Sequence, residues 1–163
     1  MSNVIHSSVN YSGPDKQAVV GKIYEDLFQD SNGNVSVRYI RLIKATAAVA
    51  AGDLCSFAAT DAPNAYTLGE AKPVPVVNSL PVQQVAGVAV AAIANGEFGF
   101  VVCRGVVEGA KAGAGIGIGD LLEMRAGGEV DTVTLAAGTS GTVVGIALTA
   151  TASNAITAYI NVL

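Results

Sequence analysis

Few side chains in this sequence could do chemistry, and their spacing decides what each is good for. The single histidine, His6, lies in the polar stretch MSNVIHSSVNYSG. A Ser-His-Asp or Cys-His relay would have to draw its base from that unperiodic arm, which is poor pre-organisation. Cys55 and Cys103 sit inside strand-like apolar runs, with no His or Cys at metal-ligand spacing. They read as buried free thiols behaving as small hydrophobes, with a disulfide as the alternative. Asp30-Ser31-Asn32-Gly33-Asn34 sets oxygens at alternate positions, as a calcium loop does. Its glycine is fourth, however, Val35 is sixth, and Arg41 is twelfth where a bidentate Glu belongs. A helix-ending turn fits it better. Lys111–Gly119 (KAGAGIGIG) is glycine-rich, but Ile118 stands where a dinucleotide fingerprint needs its third small residue, and a strand-like run follows instead of a helix. Asp53 and Asp120 could form a carboxylate pair. Each follows a glycine (Gly52, Gly119) and precedes a leucine, which is what an Asx-type turn requires. No catalytic, cofactor-binding or metal-ligating residue emerges, no cofactor is expected, and the sequence reads as that of a non-enzyme.

The chain is organised around residues 84–109, QVAGVAVAAIANGEFGFVVCRGVVEG. Two apolar runs, Val85–Ala94 and Phe98–Val107, flank Asn95-Gly96-Glu97. Asn-Gly between β-rich runs is a hairpin signal, because both residues tolerate positive φ. The alanines alone would also suit a buried helix over 85–94, but the Val, Ile and Gly content argues against it. The C-terminus echoes this unit. Gly87-Val88-Ala89 matches Gly145-Ile146-Ala147, and Asn95-Gly96 falls on Ser153-Asn154. A Gly-Asp-Leu precedes each copy, at Gly52-Asp53-Leu54 and Gly119-Asp120-Leu121. Two copies of one β-hairpin unit predict one closed or nearly closed β-structure, not two domains.

Before the repeats come a polar arm (1–12) and a predicted helix over 14–29. Ser12 with Asp15 suggests its cap, and Val19, Val20, Ile23, Tyr24, Leu27 and Phe28 form an i, i+4 stripe. That stripe packs either on the chain's own β-core or on a neighbouring subunit. Lys22, Glu25 and Asp26 lie off it. Val35–Ile43 alternates as a strand, with Val35, Val37, Tyr39, Arg41 and Ile43 on one face and Arg41 breaking its apolar side. Short strands follow at Asp53–Ala59 and Ala65–Leu68. Glu70–Val82 carries Pro73, Pro75 and Pro81, which marks a sheet edge or exposed loop suited to specific contacts. Leu121–Arg125 and Glu129–Val133 predict a hairpin around Ala126-Gly127-Gly128.

Composition narrows the partners. The 163 residues suit one domain; 51% are hydrophobic and 13% charged, against about 25% in ordinary soluble domains. So thin a polar coat points to extensive protein–protein contact. The net charge of −4, without a Lys/Arg block or Trp, argues against direct nucleic-acid binding. No charged and apolar leader and no run of about 20 apolar residues is present, so neither secretion nor membrane insertion is expected.

Ala50–Leu54, Val85–Val90, Asn95-Gly96-Glu97 and Gly105-Val106-Val107-Glu108-Gly109, repeated in Ile118–Leu121, Val144–Ala147 and Ala158–Leu163, resemble the pattern of tailed-phage capsid decoration, or cement, proteins. The resemblance covers residues 45–163 and leaves 1–44 outside the family's short form. It implies a β-barrel or β-tulip-like domain, so that with the repeat and helix read above the chain is expected to be mainly β: a single such domain of two pseudo-repeated hairpin units (35–163), preceded by an N-terminal arm and one short amphipathic helix (1–34) as an added anchoring element. It also implies a homotrimer on the outer capsid surface, made in the bacterial host cytoplasm and gripping the major capsid protein to cement neighbouring capsomers. Val19, Ile23, Leu27, Phe28, Pro73, Pro75 and Pro81 are the candidate capsid or subunit contacts, and Gly52, Asp53, Asn95, Gly96, Gly119 and Asp120 the structural turns. A fibre or surface-adhesin module binding carbohydrate is the alternative. It would stack sugars on aromatics such as Tyr66 or Tyr159, in a chain with only 6% aromatic residues.

Overall fold

The computed structural model describes residues 5–6, 20–59, 66–74, 84–133 and 142–163. Among these the regular elements are β1 (Ile5–His6), β2 (Ile23–Gln29), β3 (Val35–Ala45), β4 (Leu54–Ala59), β5 (Tyr66–Pro73), β6 (Val85–Ala89), β7 (Phe98–Lys111), β8 (Leu121–Arg125), β9 (Glu129–Thr132), β10 (Val143–Ala147) and β11 (Ala155–Asn161). They form one sheet in the order β1-β2-β3-β5-β4-β6-β7-β11-β10-β8-β9, with an additional β3–β7 pairing.

The doubled unit is visible in that order. β5-β4-β6-β7 and β9-β8-β10-β11 are the same arrangement, joined back to back through β7 and β11. Their registers agree. Leu54 faces Val88 and Val88 faces Val102 in the first unit; Leu121 faces Ile146 and Ile146 faces Tyr159 in the second. Ala45, ending β3, lies parallel to Ala71 of β5, as Ala112, just past β7, does to Val130 of β9. The 14-residue β7 therefore serves twice, closing the first unit and opening the second. In the first unit both ends of the β5-β4-β6-β7 run pair with β3, which makes a partial ring. The β3–β5 link is only Lys44 opposite Glu70 and Ala45 opposite Ala71, so the barrel expected from the sequence goes further than these pairings do.

The two Gly-Asp-Leu turns are near copies. Asp53 Oδ2 accepts from Ala50 N–H at 2.8 Å, and Asp120 Oδ2 from Gly117 N–H at 2.8 Å. Gly52 and Gly119 take φ of 84° and 86°. Gly52 N–H donates to Ala89 O at 2.9 Å and Gly119 N–H to Ala147 O at 2.8 Å, which ties each turn to its unit's third strand. The hairpin loops differ. Ser153 and Asn154 have φ of 52° and 59° in a tight two-residue turn, with Ala152 and Ala155 bonded both ways at 3.0 Å. In the first copy Gly96 is left-handed (85°) and Asn95 is not. Asn95-Gly96 therefore makes a β-turn closed by Glu97 N–H on Ala94 O, inside a longer β6–β7 connection.

The N-terminal segment departs from expectation. No helix spans 23–29; that part is β2, antiparallel to β3 from Ile23 opposite Arg41 to Gln29 opposite Val35. Residues 20–22 form a turn into β2, with Gly21 at a φ of 83°, and 14–19, with Val19, lie outside the described residues. β1 adds to β2 in parallel, through Ile5 and His6. The i, i+4 apolar stripe misled because Ile23, Leu27 and Phe28 do not share a function: Ile23 and Leu27 are exposed, whereas Phe28 is half-buried. Asp30–Asn34 is accordingly a hairpin loop and not a helix end. Over its first half β3 turns the opposite face inward, and towards its end both faces are covered, with Ile43 and Ala45 buried as well. Arg38, Ile40 and Leu42 are buried, while Val35 and Val37 are exposed. β5 extends through Glu70 to Pro73, into the stretch read as a sheet edge or exposed loop, and pairs there with β4 and, at Glu70 and Ala71, with β3. Pro73 is the strand's last residue, where a missing donor costs least.

Asp30 holds that loop. Its Oδ2 accepts from Asn34 Nδ2 at 2.9 Å, and its Oδ1 from the N–H groups of Asn34 at 2.8 Å and Asn32 at 2.9 Å. The Asn34 side-chain bond, with the backbone donors behind it and desolvation opposing, keeps the carboxyl below its ordinary pKa. A depressed native pKa means stabilisation that is present above the ordinary carboxylate value and is lost as pH falls through the native one. The gap in melting temperature between wild type and Asp30→Ala should therefore narrow on acidification. A gap that stays constant from neutral to acid pH would contradict this assignment.

Among the described residues the buried apolar side chains form two cores. Ile43, Ala45, Cys55, Phe57, Ala71, Ala86, Ala89, Ile93 and Val101 pack within the first unit. Leu54, Val85, Val88, Val102, Leu122, Met124, Val144, Ile156 and Ile160 belong to a second core that spans both units. β6 contributes to each and is buried at all five positions. Its run of small and branched apolar residues without polar alternation follows from having both faces covered.

Candidate functional site

No group of three or more His, Cys, Asp or Glu among the described residues is placed to hold a metal. Both cysteines are free and buried. Burial, then the nearby Asp53 carboxylate, pushes the Cys55 thiol well up. Burial also raises Cys103, against the opposing charge of Arg41, and its Sγ donates to Tyr39 O at 3.2 Å. Thiols so placed stay protonated and inert. The features that remain are surfaces.

The first is the outer face of the β2–β3 hairpin. Leu27 lies directly opposite Val37, next to Val35, while exposed Ile23 lies opposite Arg41, with Glu25 and Tyr39 between the two pairs. Val35 and Val37 are 65% and 52% exposed. The hairpin's other face is anchored by charge. Arg38 Nε donates to Asp26 Oδ2 at 2.7 Å, with both side chains buried. The Arg38 guanidinium also lies 4.3 Å from the Phe28 ring centroid. Tyr24 meets Phe100 edge-on at 6.0 Å. A hairpin fixed on one side and apolar on the other can dock against another surface without first ordering itself, which lowers the cost of association.

The second surface crosses the second unit. Leu121, Ile146 and Tyr159 face one another across β8, β10 and β11, and all three are exposed. Arg104 Nε approaches the Tyr159 hydroxyl at 3.5 Å at the rim. Nothing in the linear sequence marked this row; the signal that could have found it was the repeat, compared position by position for burial.

Of the predicted contacts, Ile23 and Leu27 are on the first surface and Phe28 is beneath it; Pro73 ends β5. Val19, Pro75 and Pro81 lie outside the described residues, and nothing draws the predicted contacts into one cluster. Asp53 is held by more than its turn. Lys111 Nζ lies 3.7 Å from Asp53 Oδ1 and donates to Gly127 O at 2.8 Å, and Leu54 N–H donates to Gly128 O at 2.7 Å. The β8–β9 hairpin tip is thereby pinned onto the first unit.

No curated protein matches the chain. Among solved structures, the head fibre gp8.5 N base of bacteriophage phi29 is similar in fold. It has a TM-score of 0.53 at 21% identity, over 76% of this chain and 93% of that one. A family model described as phage cement protein matches residues 31–162, which takes in every strand from β3 to β11 and both copies of the repeat. The chain therefore belongs to the phage cement protein family, a family of structural phage proteins.

Proposed function

We propose that the protein sits on the outer surface of the phage head as a homotrimer, grips the major capsid protein and cements neighbouring capsomers. The exposed apolar end of the β2–β3 hairpin carries this reading, because Leu27, Val35 and Val37 stand open to solvent on one face of a strand pair held by cross-strand pairing. Residues 1–34 act as the anchoring extension and 35–163 as the decoration domain, so β2 reaches the capsid from a strand of the body. Stabilisation is by mass action: a ligand that binds only the assembled shell raises its resistance to heat and internal pressure. The protein is made in the host cytoplasm and ends on the virion.

Co-sedimentation with expanded heads of the parent phage tests the reading. Wild type should saturate at three copies per three-fold site, and Leu27→Asp should weaken binding at least about tenfold, since a carboxylate would be desolvated without a partner. Undiminished binding by Leu27→Asp would remove this face from the contact. Failure of the wild type to bind heads would overturn cementing and favour the fibre or carbohydrate module, with Tyr159 as its exposed ring.

A further inference from the structure

We infer that Asn32, at the tip of the β2–β3 hairpin, is a site of spontaneous modification, where the side-chain amide is lost and an aspartate or isoaspartate takes its place. Asn-Gly occurs twice in the sequence, at Asn32-Gly33 and Asn95-Gly96, and all of these residues are exposed. A glycine after asparagine leaves its nitrogen unshielded, because it carries no Cβ. The structure separates the two places by how each glycine nitrogen is held.

The reaction passes through a cyclic imide and needs only water. Hydroxide takes the Gly33 amide proton, and the nitrogen attacks Asn32 Cγ. The N–Cγ bond forms, the Cγ–Nδ2 bond breaks, and Nδ2 leaves as ammonia, taking a proton from water. A second water then opens the imide. Cleavage of the new N–Cγ bond leaves an aspartate. Cleavage at the main-chain carbonyl leaves an isoaspartate, whose backbone runs through Cβ. Nothing is oxidised or reduced.

A glycine nitrogen must leave its hydrogen bond before it can attack. Gly33 N–H donates to Asp30 O at 3.0 Å, an acceptor within the same loop. The side-chain bonds that hold this loop are exposed and, Ser31 on Glu108 apart, all lie within residues 29–34. Opening it leaves the core undisturbed, which places it at the low-energy end of local opening. Gly96 N–H instead donates to Ala45 O at 2.7 Å, and Ala45 N–H donates to Glu97 O at 2.8 Å. Ala45 is fully buried at the end of β3. Freeing the Gly96 nitrogen therefore means lifting its turn off the sheet.

The product changes the hairpin tip. Ser31 N–H and Oγ donate to Glu108 Oε1 at 2.8 and 2.7 Å, and Asn32 N–H donates to Asp30 Oδ1 at 2.9 Å. A new carboxylate beside those two adds like charge. An isoaspartate also lengthens the backbone by a methylene, within the loop that Asp30 closes. Val35, 65% exposed, lies just beyond Asn34, so the charge arrives at the end of the apolar face.

Peptide mapping by mass spectrometry of the full chain, held in mildly alkaline buffer, tests this. The peptide with Asn32 should gain the mass that separates a carboxyl from an amide, as a mixture of aspartate and isoaspartate. The peptide with Asn95 should convert at least about tenfold more slowly, the factor that one further hydrogen bond to be broken would give. In denaturant the two peptides should convert at similar rates, because only their chain neighbours then act. Asp30→Ala removes the carboxylate that ties the loop, and should speed conversion at Asn32 and leave Asn95 unchanged. Native conversion at Asn95 as fast as at Asn32 would overturn the inference. So would an unchanged Asn32 in folded protein whose denatured form converts. Aspartate without isoaspartate would overturn the route through the imide.

Discussion

Gly52→Ala should cost about 2–5 kcal/mol of stability, a large share of the total for a domain of this size, while Gly119→Ala should cost about 1–2 kcal/mol. Both glycines have φ near +85° at the same place in the repeat, so both pay the left-handed penalty. Only at Gly52 would the added methyl also collide with backbone, at Gly109 O, with Lys111 N 3.2 Å away. Neither can retreat easily. Lys111 N–H donates to Gly52 O at 2.9 Å, and Gly52 N–H is committed to Ala89 O. Chemical denaturation of the two variants side by side measures the difference. Equal losses would mean that the end of β7 does not press on the first turn.

Arg38→Met should cost about 3–5 kcal/mol, because it leaves Asp26 buried without its counter-charge. The Asp26→Leu/Arg38→Met double variant should cost clearly less than Arg38→Met alone. The native pair is not fully satisfied: Asp26 Oδ1 is buried without a hydrogen-bond partner. Removing both charges thus discards an expensive desolvation together with the attraction that offsets it. Arg38 also packs its stem on β7, since a Cβ on Gly105 would lie 2.5 Å from Arg38 Cβ; methionine keeps much of that volume. A double-mutant cycle by denaturant unfolding reads the coupling directly. Additive losses would show that the two side chains do not interact. The pair joins β2 to β3 within the hairpin, so Arg38→Met should also weaken head binding without touching the exposed face.

The repeat was legible because its carriers are local. Gly-Asp-Leu needs one left-handed glycine and one carboxylate reaching back three residues, and both fall within the motif. The β8–β9 hairpin was legible for the same reason, its turn residues Gly127 and Gly128 sitting between two short apolar runs. Asn95-Gly96 was half legible: a turn forms there, but the connection is longer than a tight hairpin because Gly96 N–H donates to Ala45 O on β3, a partner far away in sequence.

The helix was misread because residues 20–29 carry apolar side chains at spacings that suit either period, and a strand there depends on β3 as its partner. Asp26 lay off the apolar stripe and read as a solvated charge, and Val35 and Val37 fell on the apolar side of their strand. A residue's own chemistry does not say which face of a strand will be covered, and a buried ion pair is recognised only when both halves are seen together. By itself the sequence determined that this chain is a mainly β protein built on a doubled hairpin unit, since turn chemistry and β-branched runs act over a few residues. Which of two equivalent apolar rows is buried and which is left open was decided by tertiary structure alone, because burial depends on what the fold stacks above a strand.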